Sequence, residues 1–184
     1  DKMATINTFE ETNETTLKCI FQDNQIASDV INKLLGADRI DDFMSTIPLY
    51  LSEVTYLNLD TPIGTQLVEK LIGMLPKLET INLGEQIKCD MQLLQFLQSK
   101  ATERSNGFNF DLTTLDLFEA TITAAQFNAI PQASKASIKE LDLTGLDCTD
   151  FDLSDFTGLT TLNLRRSTIT AAQFNAIPQA SKAS

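Results

Sequence analysis

From residue 54 onward, apolar and polar positions along this chain repeat one short phrase, LxxLxL, with aliphatic residues first, fourth and sixth and polar ones between. The phrase starts at Val54, Leu78, Leu112, Ile138 and Leu159, so the intervals are 24, 34, 26 and 21 residues. All fifteen key positions are aliphatic in a chain whose apolar content is 42%. Chance would produce that at one alignment with odds of roughly two in a million. The alternation inside each phrase predicts a short strand, and its recurrence predicts a stack of strands whose leucines are buried only by neighbouring strands.

Within that array, residues 112–137 and 159–184 are near copies, and 121–137 and 168–184 are identical over 17 residues. Helices follow the strands where there is room. Leu67, Val68, Leu71, Ile72 and Leu75 fall in helical phase over 65–75, and Met91, Leu94 and Leu97 over 90–98. Each duplicate copy offers a capping box, Thr123 with Gln126 and Thr170 with Gln173. The interval of 34 residues carries a polar insertion at 100–110, whose Phe108 and Phe110 are expected to fold back on the array. The interval of 21 residues is too short for a full helix, so it should cross as extended chain or a single turn.

Ahead of the array the period changes from two to 3.6. Residues 1–12 read as a loosely docked polar end. A short helix is expected over 13–21 with Leu17, Ile20 and Phe21. A clearer one begins at Asp23 or Asn24, carries Ile26, Ala27, Val30, Ile31, Leu34 and Leu35, and stops at Gly36. A third starts near Asp38, carries Ile40, Phe43, Met44 and Ile47, and ends at Pro48. Residues 1–50 thus read as an N-terminal helical cap on the first strand, and 51–184 as an array of about five repeats. The rival reading of the first part is a separate helical docking module, but about 40 residues is small for a core of its own.

The phrase and its spacing resemble the leucine-rich repeat family, and the helices after the strands resemble its ribonuclease-inhibitor-like class, of bacterial type. The resemblance implies an α/β leucine-rich repeat solenoid: a right-handed α/β horseshoe with a parallel sheet on its concave face and a helical N-terminal cap. It also implies a non-catalytic protein-protein interaction module, read here as a bacterial secreted or effector protein that binds a host protein. The alternative is the substrate-recognition part of an adaptor or ubiquitin-ligase-like enzyme whose catalytic domain lies outside the chain. One departure matters. The family places Asn three residues after the last strand leucine, but here those positions hold Pro62, Gln86, Ala120, Leu146 and Ser167. The turns are therefore expected to be held by packing more than by hydrogen bonds.

In such an array the residues between the leucines line the concave face. Tyr56, Asn58, Asn82, Asp116, Asp142 and Asn163 there, with Phe118, Arg165 and Arg166 at the strand exits, are the candidate partner-binding residues. Other chemistry is scarce. With 14 basic against 25 acidic residues the net charge is −11, which repels a phosphate backbone and argues against nucleic acid. There is no histidine, and Cys19, Cys89 and Cys148 are too scattered for a metal site, so neither zinc nor a histidine triad is expected.

No cofactor and no membrane span is expected, and the compartment is read as that of a soluble protein, secreted from a bacterium or cytoplasmic. Asp147, Asp150, Asp152 and Asp155 form an acidic cluster that reads as a solvated surface before it reads as a calcium site. Cys89, just ahead of a helix start, is where a thiolate would be stabilised. The last copy carries no polar terminal repeat after it, so self-association through 159–184 is expected unless native sequence beyond it has been left off.

Overall fold

The computed structural model describes residues 23–36, 53–104 and 107–178. The polar start and the helices expected over 13–21 and 38–47 lie outside the described residues. Those described form an α/β protein with six helices and five strands, the strands all parallel and ordered β1-β2-β3-β4-β5. The chain divides into two compact units, 1–87 with 106–108, and 88–105 with 109–184.

The first unit holds α1 (Asn24–Gly36), β1 (Tyr56–Leu59), α2 (Thr65–Gly73) and most of β2 (Thr80–Cys89). Leu57 pairs with Ile81 and Leu59 with Leu83, and all four are fully buried. The apolar stripe of α1, from Ala27 through Val30 and Ile31 to Leu34 and Leu35, is buried as its period predicts.

The polar stripe of α1 has a task of its own. Asn24, Ser28 and Asn32 recur every four residues and so lie along one line of the helix. They meet the backbone of β1 and of the residues that flank it. Asn24 Oδ1 accepts from the N–H groups of Thr55 and Tyr56, each at 3.1 Å. Ser28 Oγ accepts from Asn58 N–H at 3.0 Å, and Asn32 Oδ1 from Asp60 N–H at 2.9 Å. Asn32 Nδ2 donates to Asn58 O at 2.7 Å. A helix cannot extend a sheet with its own backbone, so three side chains supply the donors and acceptors that another strand would have brought.

The second unit holds α3 (Met91–Glu103), β3 (Asn109–Asp116), α4 (Ala124–Asn128), α5 (Gln132–Ser137), β4 (Glu140–Asp142), β5 (Thr161–Asn163) and α6 (Ala171–Ala176). Leu115 pairs with Leu141 and Leu141 with Leu162. Asp90 caps α3, its carboxylate accepting from Leu93 N–H at 2.9 Å. Both capping boxes form, Thr123 with Gln126 and Thr170 with Gln173. Phe108, in the first unit, and Phe110, in the second, are buried as expected, at 5% and 1% exposure.

Between β4 and β5 the chain crosses without a helix, burying Cys148, Phe151, Leu153 and Phe156. Phe127 of α4 stacks on Phe151 with ring centroids 4.2 Å apart and on Phe156 at 5.6 Å. Amides of the two duplicated helices hold this irregular crossing. Asn128 of α4 donates to Asp150 O at 3.0 Å and accepts from Asp152 N–H at 2.7 Å. Gln173 of α6 donates to Phe151 O at 3.1 Å and to Cys148 O.

The duplication supplies an internal control. Phe127 and Phe174 sit in the same local sequence, yet Phe127 is fully buried while Phe174 is 51% exposed. Phe127→Ala is expected to cost about 3–5 kcal/mol, since it removes a stacked aromatic and leaves a cavity, and Phe174→Ala about 1 kcal/mol or less. Urea unfolding at unchanged m-value measures both, and equal losses would contradict the burial pattern.

Candidate functional site

The residues that alternate with the buried leucines form rows on the opposite face of the strands. In the first unit Tyr56 pairs with Thr80 and Asn58 with Asn82, all partly exposed. In the second, Thr114 pairs with Glu140 and Glu140 with Thr161, while Asp116 pairs with Asp142 and Asp142 with Asn163. A shallow depression of about 110 Å³ opens on this face, lined by Lys88, Thr114, Asp116, Glu140, Leu141, Asp142 and Thr161. Three carboxylates and one ammonium give it a net negative charge. Lys88 and Glu140 are therefore part of the candidate site although they are absent from the expected set. The expected phrase stops at Leu83, whereas β2 runs on to Cys89. The alternation of Ile87, Lys88 and Cys89 is the signal that could have found Lys88.

Three of the expected partner-binding residues hold their own turns. Asp116 Oδ1 accepts from Phe118 N–H at 3.0 Å, Asp142 Oδ1 from Thr144 N–H at 2.8 Å, and Asn163 Oδ1 from Arg165 N–H at 3.1 Å. At each strand exit an Asp or Asn oxygen folds back on the backbone two residues on, an Asx turn. This corrects the expectation that these turns rest on packing. The asparagine expected after the strand is missing, but an Asp or Asn inside the strand's last pair of residues does comparable work.

A second regularity follows one step further along. Glu119, Gly145 and Arg166 occupy the same place after β3, β4 and β5, and all three have left-handed φ angles of 48, 78 and 55°. Each is the third residue of a turn closed by an N–H···O=C bond, from Ala120 to Leu117 at 3.0 Å, Leu146 to Leu143 at 3.2 Å, and Ser167 to Leu164 at 3.0 Å. The turns also continue the ladder, with Glu119 N–H donating to Thr144 O at 2.9 Å and Gly145 N–H to Arg165 O at 3.0 Å. Only the middle position is glycine, and there is a steric reason. A Cβ at Gly145 would sit 3.0 Å from Glu119 Cγ. Across that gap Arg166 donates to Glu119 Oε1 at 2.8 Å. The guanidinium read as a partner anchor is thus engaged within the unit, while Phe118, at 53% exposure, and Arg165 are exposed at the strand exits.

The remaining candidates carry no reactive chemistry. Cys89 is fully buried; burial and the adjacent Asp90 push its thiol far above the ordinary range, the reverse of the stabilised thiolate expected from its place before α3. Burial and the neighbouring Asp147 push Cys148 up to about 11. In the acidic stretch, Asp147 accepts from the hydroxyl and N–H of Thr149, and Asp152 from those of Ser154. These bonds hold both carboxyls below their ordinary range, in the order hydroxyl then backbone N–H, with Lys135 adding a smaller effect at Asp152. The stretch is a run of turns. Among the described residues no group of three or more His, Cys, Asp or Glu side chains is placed to hold a metal ion.

No helix among the described residues is long and apolar enough to cross a membrane. Comparison with family models, curated proteins and solved structures finds no match to the chain.

Three outcomes are expected from this geometry. Gly145→Ala should destabilise the chain by about 1–2 kcal/mol. Glu119→Gly should be neutral or stabilising, because relief of a left-handed residue outweighs an exposed ion pair contributing about 0–1 kcal/mol. Chemical denaturation reads both, and a harmless Gly145→Ala would mean the turn is not held left-handed. In peptide-resolved mass spectrometry, Cys89 and Cys148 should resist iodoacetamide at neutral pH in the native chain and react in denaturant; prompt native labelling of Cys89 would contradict its burial.

Proposed function

We propose that this chain is a non-catalytic protein-recognition module built as a leucine-rich repeat solenoid, and that it binds a protein partner through the exposed face of its strands. The observation that carries this reading is the row of Asp116 and Asp142 beside Glu140 in one shallow depression, with Lys88 as the cation within it. A depression of about 110 Å³ on an open sheet face is small for an organic substrate, since ligand pockets hold several hundred Å³. It suits single side chains presented by a folded surface.

The charge indicates which side chains. Lysine or arginine on a partner would meet two or three carboxylates in register at the spacing of neighbouring strands, and the exposed Thr161 beside them can bond polar groups at the rim. The proposed partner surface is therefore basic. The solenoid reading draws support from the LxxLxL spacing and from the registers of Leu57 with Ile81 and of Leu115, Leu141 and Leu162.

The test uses a change that leaves the turns intact. Asn163 makes the same turn as Asp116 and Asp142, so Asp116→Asn and Asp142→Asn remove charge and keep the acceptor. Combined with Glu140→Gln in the full chain, they are expected to leave stability unchanged and to weaken a partner captured by the wild type about tenfold or more, some 1.4 kcal/mol. An interaction screen comparing the two chains at low and moderate salt makes the measurement. Identical capture would move the interface off this face.

A further inference from the structure

We propose that the outer edge of β5 is a docking site for an extended, acidic polypeptide segment that joins the sheet as a further parallel strand. This surface is distinct from the exposed sheet face. Thr161 N–H donates to Lys139 O at 3.0 Å and Asn163 O accepts from Leu143 N–H at 2.9 Å. In a parallel ladder successive residues direct their backbone groups to opposite sides, so the N–H and C=O of Leu162 point away from β4. Strand order ends at β5, and no described residue pairs with that edge.

The apolar surface beside this edge is partly exposed. Leu115, Leu117, Leu141 and Leu143 are at most 1% exposed, whereas their counterparts Leu162 and Leu164 are only half-buried, and Phe174 is 51% exposed where Phe127 is fully buried.

The chain itself indicates the chemistry of the occupant. The first duplicate copy has this same surface, and residues 138–156 cover it: one strand in register, then Phe151 and Phe156 stacked on Phe127. That covering stretch is acidic, with six carboxylates against one lysine over 138–158. The second copy adds attraction for such a segment, because residues 157–178 contain no acidic residue and two arginines, of which Arg165 is exposed at the strand exit while Arg166 is paired with Glu119. The same arginines disfavour a second copy of this chain on the edge by two-fold pairing, which would bring two such pairs together. Strand addition supplies affinity through the backbone, and the phenylalanine contacts supply selectivity.

A synthetic peptide of residues 138–158, titrated calorimetrically into the full chain, tests the proposal. It should bind one to one and raise hydrogen-exchange protection at the Leu162 amide. Replacing both peptide phenylalanines, Phe151→Ala with Phe156→Ala, should weaken binding about tenfold or more, as should Phe174→Ser in the chain, an exposed change that leaves the fold intact. Arg165→Glu should weaken it further and reverse its salt dependence. Failure to bind at millimolar peptide would overturn the proposal. So would new protection confined to β3, which would mean that the peptide displaces its own parent segment. Concentration-dependent dimers that the peptide does not compete with and that Phe174→Ser abolishes would assign the edge to a second copy and equally overturn it.

Discussion

Short parallel strands impose the constraint on which this structure depends. A strand of three residues such as β4 or β5 buries too few side chains to hold its own register. What keeps Leu141 beside Leu115 and Leu162 is the joint action of one aliphatic row under the strands and one repeated turn at their ends. Each fully buried leucine contributes about 1.5–3 kcal/mol only while its neighbours stay aligned, because a shift by one residue turns the row to solvent.

The turns supply that alignment. An Asp or Asn oxygen caps the backbone two residues ahead, a left-handed residue reverses the chain, and the next turn accepts the freed N–H. Stacking left-handed residues brings their side chains close together, and an ordinary residue at each of three consecutive positions would crowd. Glycine in the middle resolves this, and Glu119 and Arg166 then reach each other past Gly145. The exposed pair contributes little energy on its own. Its place, spanning an intervening turn, sets the Glu119 side chain where a Cβ at Gly145 would press against it.

Much of this was legible in the sequence. The aliphatic phrase identified the strands, helical phase identified α1, α2 and α3, and Thr123 with Gln126 announced a capping box that forms. Most of what escaped concerns polar residues, whose pattern suggests that they face water or a partner. Asn24, Ser28 and Asn32 look like the solvated side of an amphipathic helix, yet they close a strand edge. Asp116, Asp142 and Asn163 look like recognition residues, and each also holds its own turn. Hydrophobic periodicity reports which side of an element is buried but does not distinguish water from backbone as the partner of a polar group. Lys88 was missed for a simpler reason, the extension of β2 past its phrase while the other strands turn.

The 17 duplicated residues separate what a segment determines from what its surroundings determine. Thr123 and Thr170 build the same capping box, so the start of each helix is a local matter settled within four residues. Phe127 and Phe174 differ completely in exposure, although identical residues flank them, because only the first has Phe151 and Phe156 laid over it. Amides of both copies meet at the crossing between them: Asn128 holds the stretch that follows its helix, and Gln173 the stretch that precedes its own. A copied segment thus carries its secondary structure with it, whereas its contribution to the core comes from the chain that covers it. Burial of this phenylalanine is a relation between consecutive segments, which copying one of them alone does not reproduce.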